Sequence, residues 1–199
     1  MSNNMKQRNS EKMNVRDYIT TAIMFVLMFI VFSAVGTPVG MSVVGNLFVF
    51  AVCAIIWGTI FLLLYTKVNK KGVVLLFGLI LAALMLMNFW AVSIVIAIGA
   101  IVAEIFWRKL DRRKFSTMLL CFTIQIVFWY LAMTLPLIFL KDLYLAALPA
   151  YAELYSNVFN LIIGPMFFVG LAATIVGCLV GGFLGKLLLK KHFTKAGIV

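Results

Sequence analysis

Residues 71–109, KGVVLLFGLILAALMLMNFWAVSIVIAIGAIVAEIFWRK, decide how the whole chain is read. Basic residues bound this stretch at both ends, and the 36 residues between Lys71 and Arg108 hold a single charge, Glu104. A bilayer crossing takes about 20 apolar residues. The stretch is therefore too long for one crossing and fits two short ones that turn between Asn88 and Ser93, returning the chain to the side it left.

The same reading extends in both directions. Between Arg16 and Lys67 lie 50 residues whose only charge is Asp17, which predicts two crossings joined at Gly36 to Gly45. From Phe115 to Gly185 the charges Lys141, Asp142 and Glu153 fall near the middle, which predicts two more crossings joined by a long loop. Sixteen of the 17 basic residues then gather in four clusters, Lys6 to Arg16, Lys67 to Lys71, Arg108 to Lys114 and Lys186 to Lys195, all on one side of the membrane. The positive-inside rule makes that side cytoplasmic. The expectation is an all-α polytopic membrane protein with six transmembrane helices and both termini cytoplasmic. The expected spans are Tyr18–Val35, Asn46–Tyr65, Val73–Met87, Ala91–Trp107, Phe115–Leu135 and Phe159–Leu189. A flexible tail (1–14) precedes the membrane domain (15–191), and a basic cytoplasmic tail (192–199) follows it. The third and fourth spans are short and need bilayer thinning or shelter by their neighbours. The first span is longer than a usual signal-peptide core and no clear small-residue cleavage site follows it, so it is read as retained.

Composition agrees. Of 199 residues 65% are apolar and 12% charged, against roughly 45–50% and 25% in soluble domains. A cytosolic enzyme, a nucleic-acid-binding domain and a disulfide scaffold are excluded; the net charge of +11 belongs to topology and to anionic lipid, not to nucleic acid. Catalytic constellations are also missing. The single histidine, His192, sits in the basic tail, and the sequence has no G-x-S-x-G, H-E-x-x-H or G-x-x-x-x-G-K-[ST] motif. Cys53, Cys121 and Cys178 stand alone in apolar helices, where they read as small hydrophobes. No metal, cofactor or catalytic residue is expected, and ATP hydrolysis would have to come from elsewhere. Glu104 precedes Arg108 by four residues, an i,i+4 ion pair, with a ligand or partner contact as the other reading.

Two patterns carry more information. Ala173, Gly177, Gly181 and Gly185 recur every fourth residue and place small side chains on one helix face, for close packing within the bundle or for docking to another membrane subunit. Polar and aromatic residues collect toward the predicted outer ends: Asn46, Asn88, Trp90, Trp129, Tyr130, Tyr151, Glu153, Tyr155, Asn157 and Asn160. An interfacial aromatic belt explains many of them; convergence on one small-molecule pocket is the alternative. The proline-interrupted segment 142–155 either lies flat on the membrane or covers that pocket. The glycine-rich turn carrying Gly36, Pro38, Gly40 and Gly45 is either a gate or a plain connector.

The ending Gly181-Gly-Phe-Leu-Gly-Lys-Leu-Leu-Leu-Lys-Lys-His-Phe-Thr-Lys-Ala-Gly-Ile198 closely resembles that of the MptD, or Trep-Strep, family; Asp17-Tyr-Ile-Thr20 opening helix one, Ala103-Glu104 near the end of helix four and the six-helix layout support the resemblance. The resemblance implies an S component of an energy-coupling factor (ECF) importer. Such a protein binds a vitamin-like or other small nutrient and docks to a transmembrane coupling subunit and two cytosolic ATPases, which drive uptake by toppling it in the membrane. S components generally dock through A-x-x-x-A on helix one; here the positions are Ala22 and Val26, with valine in place of the second alanine. Family ligands sit in the outer half, beneath the loop joining helices one and two. The candidate site residues are Asn88, Trp90, Gln125, Trp129, Tyr155 and Asn160, favouring an uncharged or largely aromatic ligand. An autonomous small-solute exporter or channel, and a structural subunit without ligand, are the competing classes.

Overall fold

The computed structural model describes residues 12–193, and every regular element among them is helical. Most of the expected N-terminal tail and of the C-terminal tail lie outside the described residues. The elements are α1 (Val15–Val31, continuing through a wide π-turn, Phe32–Gly36, to Gly40), α2 (Val43–Lys67), α3 (Val73–Met85), α4 (Trp90–Lys109), α5 (Phe115–Phe139), α6 (Lys141–Ala147), a 3-10 turn (Pro149–Tyr151), α7 (Ala152–Ile162) and α8 (Met166–Phe193). Five of these, α1, α2, α4, α5 and α8, are long and apolar enough to cross a membrane.

The third expected span falls short of that. At 1.5 Å per residue, the 13 residues of α3 rise about 20 Å, against about 30 Å of hydrocarbon. Leu86 and Met87, expected at its end, lie beyond the helix in the turn that leads to α4, beside Asn88 of the expected turn. The fourth expected span is not short, since α4 has 20 residues; the shelter that α3 needs comes from the α6–α7 segment, whose buried Tyr144 packs edge-on against Phe89 of this turn with ring centres 5.4 Å apart.

Two other boundaries move for identifiable reasons. The expected turn at Gly36 to Gly45 is mostly helix, and the connector shrinks to Met41 and Ser42. Pro38 has no N–H to give to the carbonyl four residues back. The π-turn immediately before it absorbs the mismatch, with the Thr37 N–H bonding to the Phe32 carbonyl. Ser42 then caps α2 by accepting from the Gly45 N–H at 3.0 Å, and Asn46 Nδ2 donates to the Gly40 carbonyl at 3.0 Å, so both helix ends are satisfied without a long loop. The expected sixth span, Phe159–Leu189, is two helices. It breaks at Gly164-Pro165, where proline disfavours helix in the residue before it and opens the next helix by accepting from Phe168 and Val169.

The described residues of the four basic clusters meet at one end of the bundle. Asn14 and Asp17 form a reciprocal cap on α1 (2.8 and 3.0 Å), and Asp17 Oδ2 also takes Lys70 Nζ at 2.7 Å. Asn69 Nδ2 donates to the Arg112 carbonyl at 2.9 Å, and Lys186 Nζ lies 4.6 Å from the centre of the Phe115 ring. At this basic end Glu104 is buried and does more than pair with Arg108 Nε at 2.6 Å. Its two oxygens accept the Gly72 N–H at 2.7 Å and the Leu75 N–H at 3.2 Å, capping α3 from 32 residues away. Gly72 reaches the carboxylate in a left-handed conformation (φ 95°), which glycine adopts without steric cost.

The most extensive helix contact joins α8 to α2. A side-chain carbon added at Gly177 would strike the backbone of Ala51, one at Gly181 that of Ala54 and Ile55, and one at Gly185 that of Gly58 and Thr59. The small-residue stripe is therefore spent inside this chain, on a parallel pair of helices whose backbones touch.

Candidate ligand cavity

At the end opposite the basic clusters, the truncated α3 leaves a recess that the α6–α7 segment roofs over. The space that remains is a cavity of about 230 Å³. Its inner wall is aromatic. The π-turn carries Phe32 toward Trp129 (5.4 Å between ring centres) and Trp57 (6.1 Å), the two indoles stack at 5.0 Å with planes 10° apart, and Phe50 leans on Trp129 at 5.3 Å. Trp57 is held by its Nε1–H, which donates to the Met28 carbonyl at 3.1 Å. Below Trp129 the packing closes. The next void, bordered by Phe61, Phe77 and Gln125, is about 10 Å³, at most room for one water.

Gly36, Thr37, Gly40 and Met41 at the end of α1 form one side of the cavity, and Met85, Asn88 and Val92 of the α3–α4 turn form another. Tyr144, Leu148, Tyr151, Leu154 and Tyr155 face it from the roof. Lys141 Nζ, 4.0 Å from the centre of the Phe159 ring, ties the start of this roof to its far helix. No charged side chain lines the cavity.

The polar groups here are few and unequally occupied. Asn46 spends its amide N–H on Gly40, and Asn88 Nδ2 rests 3.4 Å from Met85 Sδ. The Tyr144 hydroxyl is fully buried and makes no hydrogen bond of good geometry among the described residues; Tyr155 is the polar side chain beside it, with its ring perpendicular to that of Tyr144 at 5.2 Å. Burial pushes the phenols of Tyr144 and Tyr155 above the usual tyrosine range, so both stay neutral through physiological pH and Tyr144 keeps a proton to donate. A buried hydroxyl without a partner costs about 1–3 kcal/mol. Tyr144→Phe should therefore leave thermal stability unchanged or raise it by about 1 kcal/mol. Unfolding of the detergent-solubilised variant reads this directly; a loss of about 2 kcal/mol or more would mean that the hydroxyl is engaged.

Of the six candidate site residues, Asn88, Trp129 and Tyr155 line this cavity. Gln125 does not. It lies one helical turn deeper on α5, accepting from Tyr65 Oη at 3.2 Å and donating to the Val74 carbonyl at 2.7 Å, and so ties three helices together. Trp90 begins α4 with half its surface exposed, and Asn160 sits on the exposed side of α7. Of the four turn residues, Gly36 and Gly40 border the cavity, while Pro38 and Gly45 shape the helix ends beside it. Ala22 and Val26 are exposed on the outward face of α1. Sequence reasoning passed over Phe32 and Tyr144. Phe32 lies inside the expected span Tyr18–Val35 as one apolar residue among many, and Tyr144 lies in the segment 142–155, whose pattern singles out no residue.

No curated protein and no solved structure matches the chain. Residues 15–195 match the model of a family described as "Hypothetical bacterial integral membrane protein (Trep_Strep)". Long apolar helices, basic clusters gathered at one end and a family match over nearly the whole chain lead to one assignment: the protein is a multi-pass integral membrane protein of the Trep_Strep family.

Proposed function

We propose that this chain is the substrate-binding S component of an ECF-type importer in the bacterial cell membrane, capturing a small nutrient for uptake driven by partner ATPases. The observation that carries the reading is the one-sided cavity. It lies at the end away from the basic clusters, which the positive-inside rule assigns to the exterior, and it is closed toward the other end beneath Trp129. A pocket of this form can bind a solute and is not an open channel.

The acidic groups of the five long helices support the same reading. An ion-coupled carrier places ionisable groups near the membrane midplane. Asp17 and Glu104 instead lie at the basic end and are committed to helix caps and cations. On this reading a coupling subunit and two cytosolic ATPases supply the energy, and the exposed Ala22/Val26 face of α1 is the proposed docking surface. The glycine stripe, used up against α2, is withdrawn from that role.

Purification from the native host in mild detergent, followed by mass spectrometry, tests the proposal. The expected result is one transmembrane coupling protein and two ATPases carrying phosphate-binding loops, all lost when Ala22 and Val26 are both changed to arginine. Solute flux by the purified chain alone in liposomes would overturn it in favour of an autonomous carrier.

A further inference from the structure

We infer that the cavity takes an uncharged, flat compound of one or two rings bearing a hydrogen-bond acceptor, seated against Phe32, Phe50 and Trp129 with the Tyr144 hydroxyl donating to that acceptor. The inference rests on reading the cavity as a substrate site, and it names the chemistry of what enters.

Four observations set this class. First, the lining contains no Asp, Glu, Lys, Arg or His. An ion taken from water into such a site finds no countercharge, and its desolvation goes uncompensated. Second, rings and thioethers make up half of the lining, with Phe32, Phe50 and Trp129 on the inner wall and Tyr151 and Tyr155 in the roof. Flat rings gain offset-stacked and edge-to-face contacts on such walls that a branched aliphatic compound does not. Third, about 230 Å³ is below the roughly 300–1,000 Å³ of pockets for drug-sized ligands, which limits the occupant to one or two rings. Fourth, Tyr144 brings into this lining a fully buried hydroxyl that makes no hydrogen bond of good geometry, with Tyr155 beside it. The burial that keeps its phenol protonated makes it a donor in search of an acceptor.

Three compounds of nearly one shape separate the possibilities: benzamide (neutral, with a carbonyl acceptor), benzoate (anionic) and benzamidine (cationic at neutral pH). Each is titrated against the full-length protein in lipid nanodiscs by ligand-observed NMR. Benzamide should bind at least tenfold more tightly than either ion. Tyr144→Phe should weaken it about three- to tenfold, the worth of one neutral hydrogen bond. Met133→Trp, which fills the cavity, should abolish it. If the filled variant does not fold, the isosteric Tyr144→Phe carries the test. Equal or tighter binding of an ion overturns the inference, as does a benzamide affinity indifferent to Tyr144, or no benzamide binding. The outcome is separable from that for the importer: partners that co-purify while the three compounds bind alike leave the S component standing and remove the ligand class. Discrimination among the compounds without partners does the reverse.

Discussion

Changing Gly181 to leucine should leave no folded protein in mild detergent, whereas Gly164→Ala should be indistinguishable from the parent. In a helix, alanine is favoured over glycine by about 1 kcal/mol, so the sign of a Gly→Ala change at Gly181 depends on what the methyl group meets. There it meets the backbone of Ala54, and the Cα of Ile55 at 2.8 Å. Neither can rotate aside. Overpacking of this kind costs about 1–3 kcal/mol for a small addition, and more for leucine, in a chain whose total margin is on the order of 5–15 kcal/mol. Gly181→Ala is therefore expected to lower the unfolding midpoint by about 5 °C, at roughly 2–4 °C per kcal/mol for this size. Gly182→Ala, one residue on, meets only the side chain of Leu119 and should cost less. At Gly164 the nearest atom is 3.7 Å away. A midpoint for Gly181→Ala equal to that for Gly164→Ala would show that the two backbones are not in contact.

The second large effect is expected at Glu104. Glu104→Ala removes the acceptor for the Gly72 and Leu75 N–H groups and for Arg108 Nε together. It leaves two backbone donors of the α3 start without a partner at a site where the carboxylate side chain is 5% exposed. Hydrogen bonds to a charged group are worth about 1.5–3 kcal/mol each and do not simply add; a loss of about 3–5 kcal/mol is expected. Arg108→Ala, by contrast, removes a partner that is 53% exposed, and pairs of that kind contribute about 1 kcal/mol or less. Glu104→Gln should fall between them, because its amide presents a donor where an acceptor is needed. Thermal unfolding of the three variants gives the order. Equal losses for Glu104→Ala and Arg108→Ala would reduce Glu104 to half of an ion pair and remove its role as the cap of α3.

How far such features can be read from sequence depends on whether charge or geometry decides them. The basic clusters could be read, because a lysine in hydrocarbon is too costly for the chain to place it anywhere but at an end; Lys70 on Asp17 and Asn69 on Arg112 are the result. The true length of α1 could not. Gly36-Thr-Pro-Val-Gly40 has the composition of a turn, yet within a bilayer the backbone must satisfy its own hydrogen bonds, and a π-turn does so at lower cost than a loop. Depth was equally hidden. Gln125 and Trp129 are four apart on one face of α5, and periodicity cannot say that the first lies under the cavity and the second borders it. Glu104 was recognised for its neighbour Arg108, but the cap it makes on Gly72 depends on how α3 and α4 fold back on each other, which no local spacing announces.

The contact between α2 and α8 also restricts how this protein can move. Packed helices slide past each other when the side chains between them exchange rotamers, and at Gly58 and Gly181 there are none to exchange. The two helices therefore form a single girder. Bending is left to α1, which carries at Phe32–Gly36 a wide turn in an otherwise regular membrane helix. If the cavity opens, the bending joint is at Phe32, and the ring that forms its inner wall is carried on the hinge.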